Sequence, residues 1–337
     1  MAGLVAAARL RELGKPVRLL EKGDRPGGSM LLSSGVVWRH RSLEAFREEC
    51  PGGDPVLQRL IVERLDDALD WLERTAVPAT ERETGNPRTI GRRFDPHRLT
   101  DALARDVSLC EPLTELPEEP VVLATGGFAV RLARERGLPL RAAPWSEGDG
   151  IRLAQERGAA FAGDLGEFYG RALPAPPARV AEQDFVRAAQ LYGRFATVVD
   201  DEGRPVFAGE PSWSETDLAQ VIARQPGGTA WYRVDTAALG ERVRDRTVAD
   251  MVGVAGELGG EVRRGDGYVE VKIVAGVTHT LGGLRVDDRA RVLDGEGGPV
   301  EGLYAAGVDA GGIATGGYAS GLATALVLGL AAAESAG

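Results

Sequence analysis

Buried strands that run straight into paired glycines are the feature that most restricts how this chain can fold. Val121-Val122-Leu123-Ala124-Thr125-Gly126-Gly127 is one, and Gly302-Leu303-Tyr304-Ala305-Ala306-Gly307, with Gly311-Gly312 and Gly316-Gly317 behind it, is another. An apolar run that stops at a glycine turn suits a strand covered on both faces, and so a parallel sheet. Glycine supplies 46 of 337 residues, bunched at 27–28, 126–127, 148–150, 282–283, 311–312 and 316–317. Bunching of this kind marks close backbone approaches.

The front of the chain supplies the matching helix. Segment 3–13 places Leu4, Ala7, Ala8 and Leu10 on one helical face, and Gly14 stands where a stop is expected. Val17-Arg18-Leu19-Leu20-Glu21 then reads as a buried strand ending in an acid, and Asp24 to Gly28 as a polar loop. Helix, strand and acid make half of a βαβ unit. Residues 56–75 have helical spacing, and a shorter helix is expected at 98–106 and a small-residue one at 320–334. From about 146 to 265 the texture changes to Pro-rich 174–177 and aromatic Phe168, Tyr169, Tyr192, Trp213, Trp231 and Tyr232, without glycine-terminated strands. The length suits about two domains. We therefore expect an α/β fold in which 1–145 and 266–337 form one split domain around an inserted α+β domain at 146–265.

Composition narrows the function. Forty Lys and Arg against fifty Asp and Glu give a net charge of −10, which argues against a nucleic-acid surface or a polybasic membrane anchor and for a small-molecule partner. Cys50 and Cys110 are the only cysteines, and there are three histidines. Neither a disulfide framework nor a thiolate zinc site is supported, and a reducing, cytoplasmic setting is expected. No apolar run is long enough to span a membrane, and no signal sequence is read.

A dinucleotide fold opens with a strand and G-x-G-x-x-G, whose third glycine lets helix pack on strand. Taking Gly3 as that third glycine places Glu21 18 residues on, at the end of the next strand, where an acid binds ribose hydroxyls. In that register the first strand and two phosphate-binding glycines would precede Met1, so the chain is expected to be short at its front.

Five motifs then follow in order: Glu21 through Ser29, Ala124-Thr125-Gly126-Gly127-Phe128, Gly148-Asp149-Gly150-Ile151, Thr278-His279-Thr280-Leu281-Gly282-Gly283, and Gly302 through Gly307. Together they resemble the FAD-dependent fumarate reductase, succinate dehydrogenase and 3-ketosteroid dehydrogenase flavoprotein superfamily, over nearly the whole chain. The resemblance implies FAD bound by a split Rossmann-like domain, with an inserted capping domain. It implies that Glu21, with Lys22 beside it, meets the adenosine ribose, and that Gly27, Gly28 and Ser29 pass the pyrophosphate and flavin. Small residues there would let backbone N–H groups face anionic oxygens. By the same resemblance Gly3 takes the third-glycine place, Thr125 and Gly126 line the adenosine end, and Asp309, one residue out of register, meets the ribityl chain after Gly307. Gly321 and Leu322, at the start of the last helix, would face the flavin N1 and O2 edge, where a helix N-terminus favours negative charge. Relatives with covalent flavin carry a histidine in the loop that here reads Ser29-Met30, with His40 ten residues on. Noncovalent FAD is expected.

For catalysis the resemblance singles out His279, in the H-T-x-G-G setting where fumarate reductases bind substrate. Histidine can donate to a carbonyl near neutral pH. Where relatives carry the arginine that clamps a dicarboxylate this chain has Tyr318, and where they carry the arginine proton donor it has Glu215, with Arg224 nine residues away. Fumarate and succinate are therefore disfavoured. Tyr318-Ala319-Ser320-Gly321 partly matches the tyrosine segment of the ketosteroid dehydrogenases, and a protonated phenol suits a ketone. Tyr169, with Arg171, falls at the substrate-facing position of the cap. The expected chemistry is hydride transfer between a carbon next to a carbonyl and flavin N5, with an electron donor or acceptor left open. Two alternatives stand beside it: a non-catalytic flavoprotein remnant or mis-started product lacking the phosphate loop, and a nicotinamide-dependent dehydrogenase, which fits Glu21 but not the later motifs.

Overall fold

The computed structural model describes all 337 residues, Met1–Gly337, and divides into two compact units. The first contains Met1–Val130, Ala142–Glu167 and His279–Gly337; the second contains Arg131–Arg141 and Phe168–Thr278.

In the first unit, α1 (Ala2–Glu12) leads to β1 (Leu19–Leu20). The antiparallel pair β2 (Val36–His40) and β3 (Thr89–Arg93) brackets α2 (Leu43–Glu49) and α3 (Pro55–Thr75). Helix α3 starts where Asp54 accepts the Val56 and Leu57 N–H groups and Pro55 fills the first helical position. Its buried Leu57, Ile61, Leu65, Ala68 and Leu72 lie along one face. Then come α4 (Pro96–Leu103), β4 (Val107–Ser108), β5 (Val121–Leu123) and α5 (Ala129–Arg136), which carries the chain out of this unit. The chain returns as α6 (Asp149–Glu156) and β6 (Phe161–Ala162).

Two parallel pairings follow the expectation of a parallel core: β1 lies beside β4, and β5 beside a late strand, Pro299–Ala305. Helix α1 packs on β1 and β5. The approach is close at Gly3, where a Cβ would lie 3.3 Å from Ala124 Cβ. The final helix, Gly321–Ala336, is buried almost all round from Ala323 to Ala333, the pattern of a helix at the centre of a core.

Antiparallel pairing dominates the second unit. Strand β7 (Phe168–Pro174) is followed by β8 (Ala196–Val199), α7 (Thr216–Ala223), β9 (Thr229–Asp235), the short pair β10 (Arg242–Val243) and β11 (Arg246–Thr247), α8 (Val248–Glu257), β12 (Val262–Arg264) and β13 (Tyr268–Thr280). The order across the sheet is β12-β13-β9-β8, with β7 also on β13. Trp231, Tyr192, Tyr232 and Phe168 are its largest fully buried side chains. The first unit closes with β14 (Gly283–Leu284), β15 (Arg291–Leu293), β16 (Pro299–Ala305) and α9 (Gly321–Ala336).

The unit boundaries differ from the expected 146 and 265, and pairing explains why. Residues 146–167 stay with the first unit because β6 pairs with β14. Residues 266–278 belong to the second because β13 pairs with β9 from Tyr268 to Val274. Three element ends also shift: the expected helix at 98–106 is α4, ending at Leu103; the strand at 17–21 shortens to β1; and the last helix starts at Gly321.

Candidate functional site

Parallel register brings the ends of β5 and β16 side by side, with Leu123 opposite Ala305. Each then turns. After β5, Gly126 and Gly127 take φ of 87° and 70°, a conformation suited to glycine. After β16 the chain makes a single 3-10 turn, Gly307–Asp309. That turn delivers the Asp309 carboxylate to the glycine turn, where it accepts hydrogen bonds from Thr125 Oγ1 (2.9 Å), the N–H groups of Gly126 and Gly127 (3.2 Å each) and the Thr125 N–H. Asp309 has no exposed surface. Burial pushes its carboxyl above the usual range, and the four donors pull the other way. The acid expected on a ribityl chain is thus a staple between two turns. Thr125 and Gly126, expected to line the adenosine end, have their backbone donors committed to it.

Around the start of α9 lies a cavity of about 30 Å³, lined among others by His279, Thr280, Gly307, Val308, Gly321 and Thr324. Ser320 caps the helix by accepting the Ala323 N–H at 3.2 Å. Gly321 and Leu322 are the first two residues of the helix, so their N–H groups have no helical carbonyl to bond, and of the two Gly321 lines the cavity. His279 closes on the same point: a Cβ on Gly321 would stand 3.3 Å from its Cε1. Thr280 is 2% exposed, and its hydroxyl has no hydrogen-bond partner.

Tyr318 does not line that cavity, although Ala319 and Gly321 do. It is half-buried and held from behind. His40 Nε2 donates to the Tyr318 carbonyl at 3.1 Å, which sets its tautomer. The Tyr318 ring lies 5.2 Å from that of Trp38, which meets His40 edge-on at 5.3 Å. Burial lowers the His40 pKa, and the bond to Tyr318 opposes this.

The loop after β1 is tied down by its own residues. Glu21 Oε1 accepts the Gly23 N–H at 2.8 Å. Lys22, expected beside the ribose, forms ion pairs with Glu147 (2.5 Å) and Asp149 (2.7 Å). Gly27 has φ of 102°, and a Cβ there would meet Thr100 Oγ1 at 2.8 Å, whereas Gly28 faces open space. Ser29 Oγ accepts the Ala143 N–H at 2.9 Å.

In the second unit, Tyr169 on β7 is buried, with the Arg171 guanidinium 4.9 Å from its ring. Arg171 is itself buried and donates to the Ser214 carbonyl. Beside it, Glu215 has a left-handed backbone (φ 55°) and accepts the Gly193 N–H at 2.8 Å. Burial raises the Glu215 carboxyl to about 7 against the pull of Arg171. Tyr192 and Tyr232 meet edge-to-face at 5.3 Å, and neither hydroxyl has a hydrogen-bond partner.

The structure therefore gathers His279, Gly307 and Gly321 about one cavity, joins Thr125 and Gly126 to Asp309, and leaves Tyr169 in the other unit. Reasoning from sequence gave Thr280 no part of its own although it lies inside the H-T-x-G-G motif, and weighed His40, which stands between Arg39 and Arg41, only against covalent flavin attachment.

Comparison with known proteins identifies the family and the fold. The sequence model of the family described as FAD binding domain matches residues 1–111 and 112–323. A protein of Shewanella frigidimarina (strain NCIMB 400) named "Probable fumarate reductase Ifc3" is 23% identical over 405 residues, covering 91% of this chain and 68% of that protein. The open conformation of a flavocytochrome c3 fumarate reductase superposes with a TM-score of 0.71 at 20% identity, over 99% of this chain and 76% of the other. A 3-ketosteroid delta1-dehydrogenase from Sterolibacterium denitrificans, in complex with 1,4-androstadiene-3,17-dione, also gives 0.71, at 16% identity and over 99% and 97% of the two chains. At these identities the structural likeness establishes the fold.

Proposed function

The chain belongs to the FAD binding domain family, and from that premise we propose that it is a FAD-dependent oxidoreductase acting on a carbon next to a carbonyl. The observation that carries the proposal is that His279, Gly307, Thr280 with its unpartnered hydroxyl, and Gly321 at the start of α9 line one cavity. Those residues fit an electron-rich heterocycle edge: the helix start offers two donors and a partial positive charge, and glycine at 307 and 321 leaves the approach clear. Gly3, Glu21 and the Gly27–Ser29 loop are the proposed contacts toward the nucleotide end. A flavin held there would supply two-electron redox chemistry.

The chain's own residues do the rest. His279 is proposed to donate to the substrate carbonyl and Tyr318 to hold or deliver the proton, its phenol being protonated at neutral pH. His40 fixes the backbone that carries Tyr318. With tyrosine at 318 and glutamate at 215, the two places where a dicarboxylate would need guanidinium forks are not cationic, which favours a neutral ketone or enone over fumarate. Tyr169 is the proposed substrate contact of the second unit. A separate electron donor or acceptor completes the turnover. No helix is long and apolar enough to cross a membrane, and a cytoplasmic setting is proposed from the two free cysteines.

The test is direct. The purified protein, supplied with FAD, should be yellow, and denaturation should release the flavin; a colourless protein would sink the proposal. Ketosteroids, enones and dicarboxylates offered with an artificial electron acceptor would then identify the substrate class. Tyr318→Phe should lower kcat by roughly 10²-fold or more, the usual scale of acid–base catalysis, and unchanged turnover would remove Tyr318 from the mechanism. A non-catalytic FAD-binding module is the second reading, favoured by the commitment of the 125–127 donors to Asp309. Retained flavin with no turnover of any of these substrates would select it.

A further inference from the structure

We propose that the Thr280 hydroxyl is a direct hydrogen-bond partner of the isoalloxazine ring, acting beside the first N–H groups of α9; this rests on the reading of the chain as a FAD enzyme. A buried hydroxyl without a partner loses the hydrogen bonds it had with water, so it is rare unless something outside the chain completes it. Thr280 is such a group: 2% exposed, unpartnered, and part of the cavity wall at the start of α9.

Its neighbours explain why the chain does not satisfy it. A Cβ on Gly127 would approach Thr280 Oγ1 to 2.8 Å, so the hydroxyl stands directly over that glycine turn. The turn has no donor to spare, because the N–H groups of Thr125, Gly126 and Gly127 are all given to Asp309. On the cavity side, Gly321 stands at the helix start, and the first N–H groups of a helix are donors rather than acceptors. A hydroxyl can both donate and accept. It can therefore answer either kind of group along the edge of a ring that presents carbonyl oxygens, a ring N–H and an imine nitrogen, while the helix N–H groups answer only its acceptors.

The experiment compares Thr280→Val, which keeps the shape and removes the hydroxyl, with Thr280→Ser, which keeps the hydroxyl. Each is purified with FAD, its fold is checked by circular dichroism, and the FAD dissociation constant is read from flavin fluorescence on serial dilution, together with the visible flavin spectrum. Thr280→Val should bind FAD about 2- to 10-fold more weakly, the range of a single net hydrogen bond, with a shifted visible spectrum. Thr280→Ser should stay within about 2-fold of the parent. If the valine variant does not fold, Thr280→Ala against Thr280→Ser isolates the same hydroxyl, and the alanine variant should be the weaker binder by the same factor. Equal FAD affinity and spectrum across the hydroxyl-bearing and hydroxyl-free variants would overturn the assignment while leaving the FAD reading intact. Failure of the parent protein itself to bind FAD would instead overturn that reading.

Discussion

Replacing Glu215 by glutamine should stabilise the protein at alkaline pH and do almost nothing in acid. The carboxyl is buried on the second unit's interior, and its ionised form is opposed by lost hydration more than it is helped by Arg171 and the Gly193 N–H. Its pKa is therefore raised, from 4.5 to about 7. Below about pH 4.5 the group is protonated in both folded and unfolded chains and contributes nothing to the pH dependence. Between those two values the unfolded chain has released a proton that the folded one still holds, so stability falls as pH rises. Above about 7 the penalty is complete, at about 3 kcal/mol from 1.36 kcal/mol per pKa unit. Glutamine mimics the protonated acid, since its carbonyl can still accept from Gly193, and it carries no charge to bury. Urea unfolding at several pH values, followed by tryptophan fluorescence, should show the stability difference between Glu215→Gln and the parent growing from near zero at about pH 4.5 to about 3 kcal/mol at about pH 8. A parent that is the more stable at alkaline pH would refute the reasoning, because it would mean that attraction to Arg171 outweighs burial.

Two other substitutions test the first unit. Asp309→Asn replaces a carboxylate that receives four hydrogen bonds by an amide that turns an NH₂ toward N–H donors. It should cost about 2–3 kcal/mol, the scale of hydrogen bonds to a charged group, and an unchanged melting temperature would show that the carboxylate is no staple. His40 has a pKa lowered by burial, so the unfolded chain takes up a proton first as pH falls, and stability that is present above about 6.5 is lost on acidification. His40→Gln keeps a donor for the Tyr318 carbonyl and removes the titration. Melting temperatures measured from about pH 8 down to about pH 5 should fall less for the variant, and parallel curves would dismiss this account.

How much was readable beforehand differs from residue to residue. The helices followed from apolar spacing and from punctuation such as Asp54-Pro55 before α3, because those signals act within a few residues. The parallel core followed from apolar runs that end in glycine. The unit boundaries did not, since aromatic texture says nothing about pairing: Tyr268 to Val274 of β13 join the second unit through pairing with β9, more than thirty residues earlier. Of the residues that line the cavity, His279, Gly307 and Gly321 had been singled out through the family resemblance. The fates of Lys22 and Asp309 were hidden, because each depends on partners far along the chain, Glu147 and Asp149 for one and Thr125 through Gly127 for the other. The open valence of Thr280 was equally hidden, because a missing partner leaves no trace in a sequence.

The Asp309 staple also carries a consequence for how the protein is made. It closes a loop of 184 residues, and such distant contacts form late, after the entropy of bringing the ends together has been overcome. During synthesis from the N-terminus, the glycines at 126 and 127 emerge long before the acid that holds their N–H groups, and the whole second unit is translated in between. A nascent chain can thus assemble its antiparallel sheet while the turn beside β5 still samples many conformations. The turn is fixed only once β16 has been made and docks on β5, bringing residue 309 with it.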